Sequence, residues 1–232
     1  MDGRAIEPFP RSEDGEFGYT AAKLALGTVP GLGPLAQEVL EKAVGNPLRR
    51  RQENWFASLG EALSALVDRV EGLSAEALAE DEVFVSTVAQ ATQQAIATHS
   101  QVKREALRNI VLNTALGVKL DDALLGSFLG YVERFSEAHL KLLALMADPM
   151  ADAAYAAQAR NVYMGSVQGV VHEAHPDLSA ATGVLDRLYD DLTREGLLGG
   201  SFKAMCSASG LQQPQTTPYG NAFLEFIRAP RD

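Results

Sequence analysis

The stretch from Asp121 to Met146, DDALLGSFLGYVERFSEAHLKLLALM, decides the fold class of this chain. Its large apolar residues recur at alternating steps of three and four, which places them on one face of an α-helix. They are Leu125, Phe128, Val132, Phe135, Leu142 and Met146, with His139 at the step between Phe135 and Leu142. Further leucines widen this face, and so wide a face is typical of a helix buried against several others. The stretch therefore predicts one long helix, 121–146, in the core of a mainly α-helical bundle.

Similar periodic patterns earlier in the chain predict three more helices of this bundle. They are expected over 47–72, 81–99 and 101–116. Asn46 is a suitable N-cap for the first of them, and Pro47 suits its first position. Residues 1–16 combine Gly and Pro with charged residues, which predicts a flexible arm. The bundle is accordingly expected to occupy 17–165.

Composition and charge limit the classes of partner. The chain has 232 residues and a net charge of −10, because 30 acidic residues outnumber 20 basic ones. An acidic surface repels phosphate backbones, which argues against nucleic acid as a partner. The one cysteine, Cys206, permits no intrachain disulfide and fits the cytosol. The longest apolar stretch, 24–36, has about half of the ~20 residues that a spanning helix needs and contains two prolines, which argues against membrane insertion.

Two motifs near the C-terminus belong together. A leucine-rich segment, LYDDLTREGLL (188–198), ends in a Gly-Leu turn, and TPYGNAFL (217–224) follows after a polar stretch. This order resembles the second half of a winged-helix domain, with the resemblance covering about 166–230. It implies an α+β module over 166–232 in which a two-stranded wing precedes a final helix that packs back. We expect the module to dock onto the bundle through Phe223, Phe226 and Ile227. The helical region before it resembles no family.

The charge of this module argues against the DNA contact for which winged helices are known. In such domains the helix before the wing lies in the major groove and basic side chains contact phosphates. Residues 177–232 carry five basic and seven acidic side chains, and four of the acidic ones lie on or beside that helix. We therefore expect the module to bind protein or to be structural.

The densest basic cluster of the chain is Arg49-Arg50-Arg51. It could hold phosphate or an anionic membrane surface, and Arg51 is four residues from Trp55, a spacing that permits a cation–π contact. Cations at the beginning of a helix oppose the helix dipole, so the predicted start at Pro47 makes this placement locally unfavourable. A solvated helix face is the alternative interpretation.

A second basic set consists of Lys103, Arg104 and Arg108, on the helical face opposite Leu107 and Val111. Its alternative interpretation is again a solvated face. Together with Arg49, Arg50, Arg51 and Trp55, these three residues are the candidate interaction residues of the chain.

Catalytic and metal-binding patterns are weak. His172 and His175 are three residues apart, but a zinc-protease helix needs a different spacing and no third ligand follows from the sequence. His139 lies within an apolar stripe, where a histidine that is hydrogen-bonded to a neighbour is the simplest expectation. The lone Cys206 has no histidine beside it that would activate it. We therefore expect no enzymatic activity and no cofactor.

Three functional hypotheses remain. The first is a cytosolic, bacterial-type regulatory protein that acts by binding another protein or a second copy of itself. The second is a nucleic-acid-binding regulator that uses Arg49–Arg51 and the Lys103–Arg108 face, which requires the two basic sets to lie together in the folded protein. The third is a membrane-active stress or defence effector that acts through the apolar residues of 19–44.

Overall fold

The structure, a computed structural model, describes residues 34–118, 121–179 and 183–230, with side chains from residue 47 onward except at 122 and 179. These residues form α-helices and one short two-stranded sheet, which confirms the mainly α-helical class. The predicted arm 1–16 lies outside the described residues, as does the greater part of 19–44.

The described chain divides into two compact units. The first ends at Leu125, with Pro230 counted to it, and the second comprises Gly126–Ala229. The boundary expected between residues 165 and 166 falls within the second unit.

The described part of the first unit contains, before the beginning of α5, the helices α1 Pro34–Arg69, α2 Ala75–Glu80, α3 Glu82–Ala97 and α4 Gln101–Ala115. Helices α3 and α4 form a tightly packed hairpin, with α1 against both. Ala91 and Ala95 are fully buried, and their small side chains permit the close approach of neighbouring helices. Asp81 caps α3 and Ser100 caps α4, since their side chains accept backbone N–H groups of the first turn. The helices predicted over 81–99 and 101–116 are confirmed within a few residues.

The predicted helix start at Pro47 is wrong. One helix, α1, runs from Pro34 to Arg69 with Pro47 inside it. Within a helix proline removes one backbone donor and its ring crowds the carbonyl four residues before, at a cost of about 3 kcal/mol, yet α1 continues through Pro47. The Arg49–Arg51 cluster therefore lies well inside a helix, and the unfavourable interaction with the helix dipole, which is confined to the first turn, does not apply to it.

The second unit begins within α5 and continues through short helices. They are α5 Asp122–Arg134, α6 Glu137–Ala147, α7 Ala153–Asn161, α8 Val167–Ala174, α9 Val184–Arg194, α10 Ala208–Leu211 and α11 Pro218–Ile227, with a 3₁₀ turn over Pro176–Ser179. Two strands, β1 Met164–Gly165 and β2 Cys206–Ser207, pair antiparallel. Thr217 caps α11 by accepting the Gly220 N–H, and Pro218 follows at its first position.

The single helix predicted over 121–146 is also wrong, because the chain breaks between α5 and α6. Ser136 begins α6 as its N-cap, and His139 completes the capping box in the place where Glu or Gln is usual. The His139 ring atom Nδ1 accepts the Ser136 N–H at 3.1 Å and lies 2.8 Å from Ser136 Oγ. In a continuous helix the Ser136 N–H would donate to a backbone carbonyl of the preceding turn. Here the His139 ring accepts it instead.

The apolar stripe stays buried across this break. Its residues Phe128, Val132, Leu142 and Met146 are completely buried. The Phe128 ring lies 5.2 Å from that of Phe223, between ring centres, and α11 thereby packs onto α5 within the second unit. Of the three residues expected to dock the module onto the bundle, Phe223 and Phe226 contact Phe128 of the stripe, the Phe226 ring at 5.9 Å.

The two C-terminal motifs meet in the turn after α9. Thr217 Oγ1 donates to the Gly196 carbonyl at 2.6 Å, and the Thr217 N–H donates to the Leu197 carbonyl at 3.0 Å. Gly196 has a positive φ of 73°, which suits glycine at this turn. The strand Cys206–Ser207 pairs with Met164–Gly165 upstream, while Leu198 forms a single bridge with Thr216.

Candidate interaction surfaces

The arginine cluster is displayed on α1. Arg49 and Arg50 are exposed and Arg51 is half-buried. Within this cluster Arg49 pairs with Glu53, one turn on, whose carboxylate lies 3.8 Å from Arg49 Nε. Both side chains of that pair are more than 60% exposed, so the pair contributes little to stability and leaves the guanidinium accessible.

Trp55 belongs to the core and not to the surface. Its side chain is 3% exposed, and its indole N–H donates to Thr92 Oγ1 at 2.9 Å. Trp55 therefore joins α1 to α3, where it satisfies the one polar atom of a buried ring.

The second basic set is half-buried along α4. Arg104 donates to the Thr98 carbonyl at 3.1 Å and to Gln101 Oε1 at 2.8 Å, which holds its guanidinium over the beginning of α4. Arg108 donates to Ser58 Oγ at 3.1 Å, a contact between α4 and α1. Lys103 lies one residue before Arg104 in the first turn of the same helix.

The Trp55–Thr92 contact fixes the relative direction of α1 and α3. If the two helices ran parallel, the connection 70–81 would have to span about 36 Å at 1.5 Å per helical residue. That connection contains a turn at 70–73 and the six-residue α2, so its reach is shorter. The two helices are therefore antiparallel. Ala97, five residues beyond Thr92, then lies level with residue 50, five residues before Trp55.

The Arg108–Ser58 contact gives the same register for α4. Since α3 and α4 form a hairpin, α4 runs parallel to α1. Gln101 is seven residues before Arg108, and Arg51 is seven residues before Ser58, so the beginning of α4 lies level with Arg51. The structure thus brings the first basic set level with the connection between α3 and α4, beside which the second basic set begins. We call Arg49–Arg51, Lys103, Arg104 and Arg108 the basic end.

The local charge of the basic end is opposite to that of the whole chain. Segments 49–55 and 101–108 carry six cations against two carboxylates, Glu53 and Glu105, a local net charge of +4. The whole-chain charge of −10 is screened beyond about 8 Å at physiological ionic strength. The repulsion that the total charge predicts therefore acts weakly on a partner that contacts this end.

A second candidate interaction surface, which is apolar, does not follow from the sequence. Three large apolar side chains of the second unit are unusually exposed: Tyr163 by 87%, Met205 by 64% and Met164 by 55%. The other exposed large apolar side chains of the described residues are valines, none above 46%. We call Met164 and Met205 the methionine patch. Sequence reasoning assigns such residues to a core, and no motif here indicates otherwise.

The short sheet relates Met164 to Met205, while Tyr163 lies beside Met164 at the end of the same strand. Met164 pairs with Ser207, and Met205 lies two residues before Ser207. With the register continued one residue beyond Cys206, Met205 is the diagonal neighbour of Met164, and such neighbours share one face of a ladder about 7–8 Å apart. The Tyr163 carbonyl accepts the Ala208 N–H at 3.1 Å and continues the same ladder by one residue, so alternation assigns the Tyr163 side chain to the opposite face. A two-stranded ladder is the smallest possible sheet, and its two outer edges are short.

Helix α9 stands where a winged helix has its DNA-facing helix. Both arginines of α9 form ion pairs within the protein. Arg187 Nε donates to Asp191 at 2.9 Å and Arg194 donates to the same carboxylate at 3.0 Å. Partial burial, the largest influence, raises the pKa of Asp191, but the Arg187 hydrogen bond and the nearby cations outweigh it and lower that pKa below its ordinary value. Lys203 pairs with Asp186 at 2.8 Å in the same way. Both arginines of α9 thus pair with Asp191 of the same helix, and Asp186 pairs with Lys203 from the segment after it.

The histidines do not converge on a metal site. His175 Nε2 lies 3.1 Å from Asp152 Oδ1, while His172 is exposed on α8. His139 Nε2 lies 3.7 Å from Asp191 Oδ2, so the ring bridges α6 and α9. Within the described ranges, no three His, Cys, Asp or Glu side chains are grouped as a metal ion would need.

Two further findings bear on the hypotheses. Among the described helices, none combines the length and apolar character that crossing a membrane requires. No known protein family, curated protein or solved structure matches this chain.

Proposed function

We propose that this chain is a non-enzymatic, cytosolic regulatory protein that acts by associating with a second copy of itself through the methionine patch. The observation that carries the proposal is the placement of two of the three most exposed large apolar side chains of the described residues, Met164 and Met205, as diagonal neighbours on one short ladder. Exposed apolar side chains that cluster, in contrast to scattered ones, mark interaction surfaces.

The residue type of the patch suits such an interface. Methionine is enriched at protein interfaces, and its flexible thioether adapts to an irregular partner. A second copy is the occupant we favour because a patch on a short ladder can meet its own copy across a two-fold axis. Closed two-fold dimers are the commonest assemblies of soluble proteins.

In this proposal the C-terminal module binds protein. Its resemblance to a winged helix stays a prediction. Support comes from the engagement of Arg187 and Arg194 by Asp191 on the helix that would otherwise enter a DNA groove. Residues 206–207, within the module, supply one strand of the ladder, and Met205 beside that strand supplies part of the patch.

The test is the mass of the protein in solution, measured by light scattering over a dilution series. We expect a mass of twice the 24.8 kDa chain at high concentration that falls toward one chain on dilution. The Met164→Ser/Met205→Ser variant should remain at the mass of one chain. The matched control is Val83→Ser/Val85→Ser, which removes two exposed apolar side chains from the first unit and should associate like the wild type. A single-chain mass for the wild type at every concentration would contradict the proposal.

A further inference from the structure

We propose that the basic end of the first unit binds duplex nucleic acid through its phosphate backbone. This inference goes beyond the proposed self-association, since it concerns other residues in the other unit. It rests on the two helix contacts, Trp55–Thr92 and Arg108–Ser58, that place Arg49–Arg51 level with the beginning of α4, where Lys103 and Arg104 lie and which Arg108 follows one turn later.

The accessibility of these cations decides which of them can reach a phosphate. Arg49 and Arg50 are exposed, and the contact of Arg49 with Glu53 is long and solvated. Arg104 and Arg108 are already held by hydrogen bonds to the Thr98 carbonyl and to Ser58. Binding therefore does not have to immobilise these two side chains, which lowers its entropic cost. The N-terminal turn of α4 adds the positive end of a helix dipole at the same level.

The surroundings of the basic end favour a duplex over a single strand. Single strands are held by stacking of their bases on exposed aromatic rings. The aromatic ring within segments 49–55 and 101–108 is that of Trp55, which is buried in the core. A duplex needs no such ring, because its phosphates alone supply sequence-independent binding.

The same surroundings argue against an anionic bilayer. A helix that binds a membrane surface places large apolar side chains beside its cations, and these enter the lipid. In the two segments the exposed large apolar side chain is Val102, at 37%. One half-exposed valine gives little apolar area for such insertion.

The experiment measures binding of the full chain to a fluorescent 20-base-pair DNA duplex, and to an RNA duplex of equal length, by anisotropy between 25 and 200 mM salt. If four cations contact phosphates, the logarithm of affinity should fall with the logarithm of salt with a slope of about −4. Arg49→Gln/Arg50→Gln should flatten this slope by about 2 and weaken binding about tenfold or more at low salt. Arg49→Lys/Arg50→Lys, which keeps the charges, should retain the slope.

The matched control is Lys141→Gln/Arg160→Gln, which removes two exposed cations from the second unit and should leave the slope unchanged. Circular dichroism checks that each variant is folded. Absence of binding to either duplex at 25 mM salt would overturn the proposal. It would also be overturned by an equal loss in both glutamine variants, or by binding to phosphatidylserine vesicles without binding to duplex.

Discussion

Gly220 of α11 lies directly against the backbone of Leu197 in the turn after α9. A Cβ atom built at Gly220 would be 2.1 Å from the Leu197 carbonyl oxygen and 2.9 Å from its carbon. Only glycine permits this approach, and the approach lets the Thr217 N–H reach the Leu197 carbonyl. The spacing of Thr217 and Gly220 in the C-terminal motif thus has a direct steric reason.

Gly220→Ala should therefore destabilise the second unit. The obstructing atoms are backbone, which cannot rotate away, so we expect a loss of about 3 kcal/mol in the free energy of unfolding. Urea denaturation followed by circular dichroism measures it. Gly126→Ala is the control, since a Cβ on that exposed helical glycine meets no atom within 4 Å. This control should be neutral or more stable by up to about 1 kcal/mol. Equal stability of both variants would refute the steric argument.

The capping box at Ser136 gives a second prediction. Ser136→Ala removes the Oγ that lies 2.8 Å from His139 Nδ1 and weakens the start of α6. We expect a loss of about 1 kcal/mol in the free energy of unfolding without a gain in helix content. A gain in helicity without destabilisation would mean that α5 and α6 join readily into one helix, and the break would then be incidental.

Trp55 offers an optical test of the first unit because it is the one tryptophan of the chain. Its 3% exposure predicts a blue-shifted emission that an aqueous quencher barely affects. Thr92→Val removes the acceptor of the indole N–H and leaves a buried donor unpaired, which should cost about 1–3 kcal/mol. Thr193→Val, at an exposed position of α9, is the control and should change stability by less than about 0.5 kcal/mol. Emission typical of a solvated indole would contradict the register of α1 on α3.

Acid should remove the contribution of Asp191. Its pKa in the folded protein is lowered, so its contribution to stability is present above the unfolded value of about 3.9 and is lost as pH falls through the folded pKa. Asp191→Asn should be less stable than the wild type at pH 6, and this difference should shrink at pH 2.5. Urea denaturation at the two pH values measures it. A difference that is the same at both pH values would show that the charge of Asp191 is not what stabilises the wild type.

Periodicity predicted the helices and the buried stripe well, because the steps of three and four between Leu125 and Met146 depend only on helix geometry. The same pattern concealed the break at Ser136, since the apolar steps continue through a capping box whose third residue is His139. At Pro47 the error is the reverse, since a helix boundary was predicted where none exists. Proline is a local helix-breaking signal, but α1 runs through it from Pro34 to Arg69.

The candidate surfaces were predictable only in part. The sequence identified Arg49–Arg51 and the Lys103–Arg108 set, but it does not show that the two sets lie near each other in the folded protein. Their common level depends on two tertiary hydrogen bonds, made by Trp55 and Arg108. Met164 and Met205 are 41 residues apart, and their proximity follows from strand register alone. Nothing in the local sequence of either methionine indicates exposure.

The most direct measurement of the central claim is peroxide footprinting of Met164 and Met205, followed residue by residue with mass spectrometry. The rates are compared at a dilute concentration, where light scattering gives one chain, and at a concentration where it gives two. Fully buried Met146 is the internal reference and should react slowly in both samples. Our account predicts that Met164 and Met205 react quickly when dilute and several-fold more slowly when associated. Equal rates at both concentrations would show that the methionine patch stays exposed, which would contradict its role as the interface.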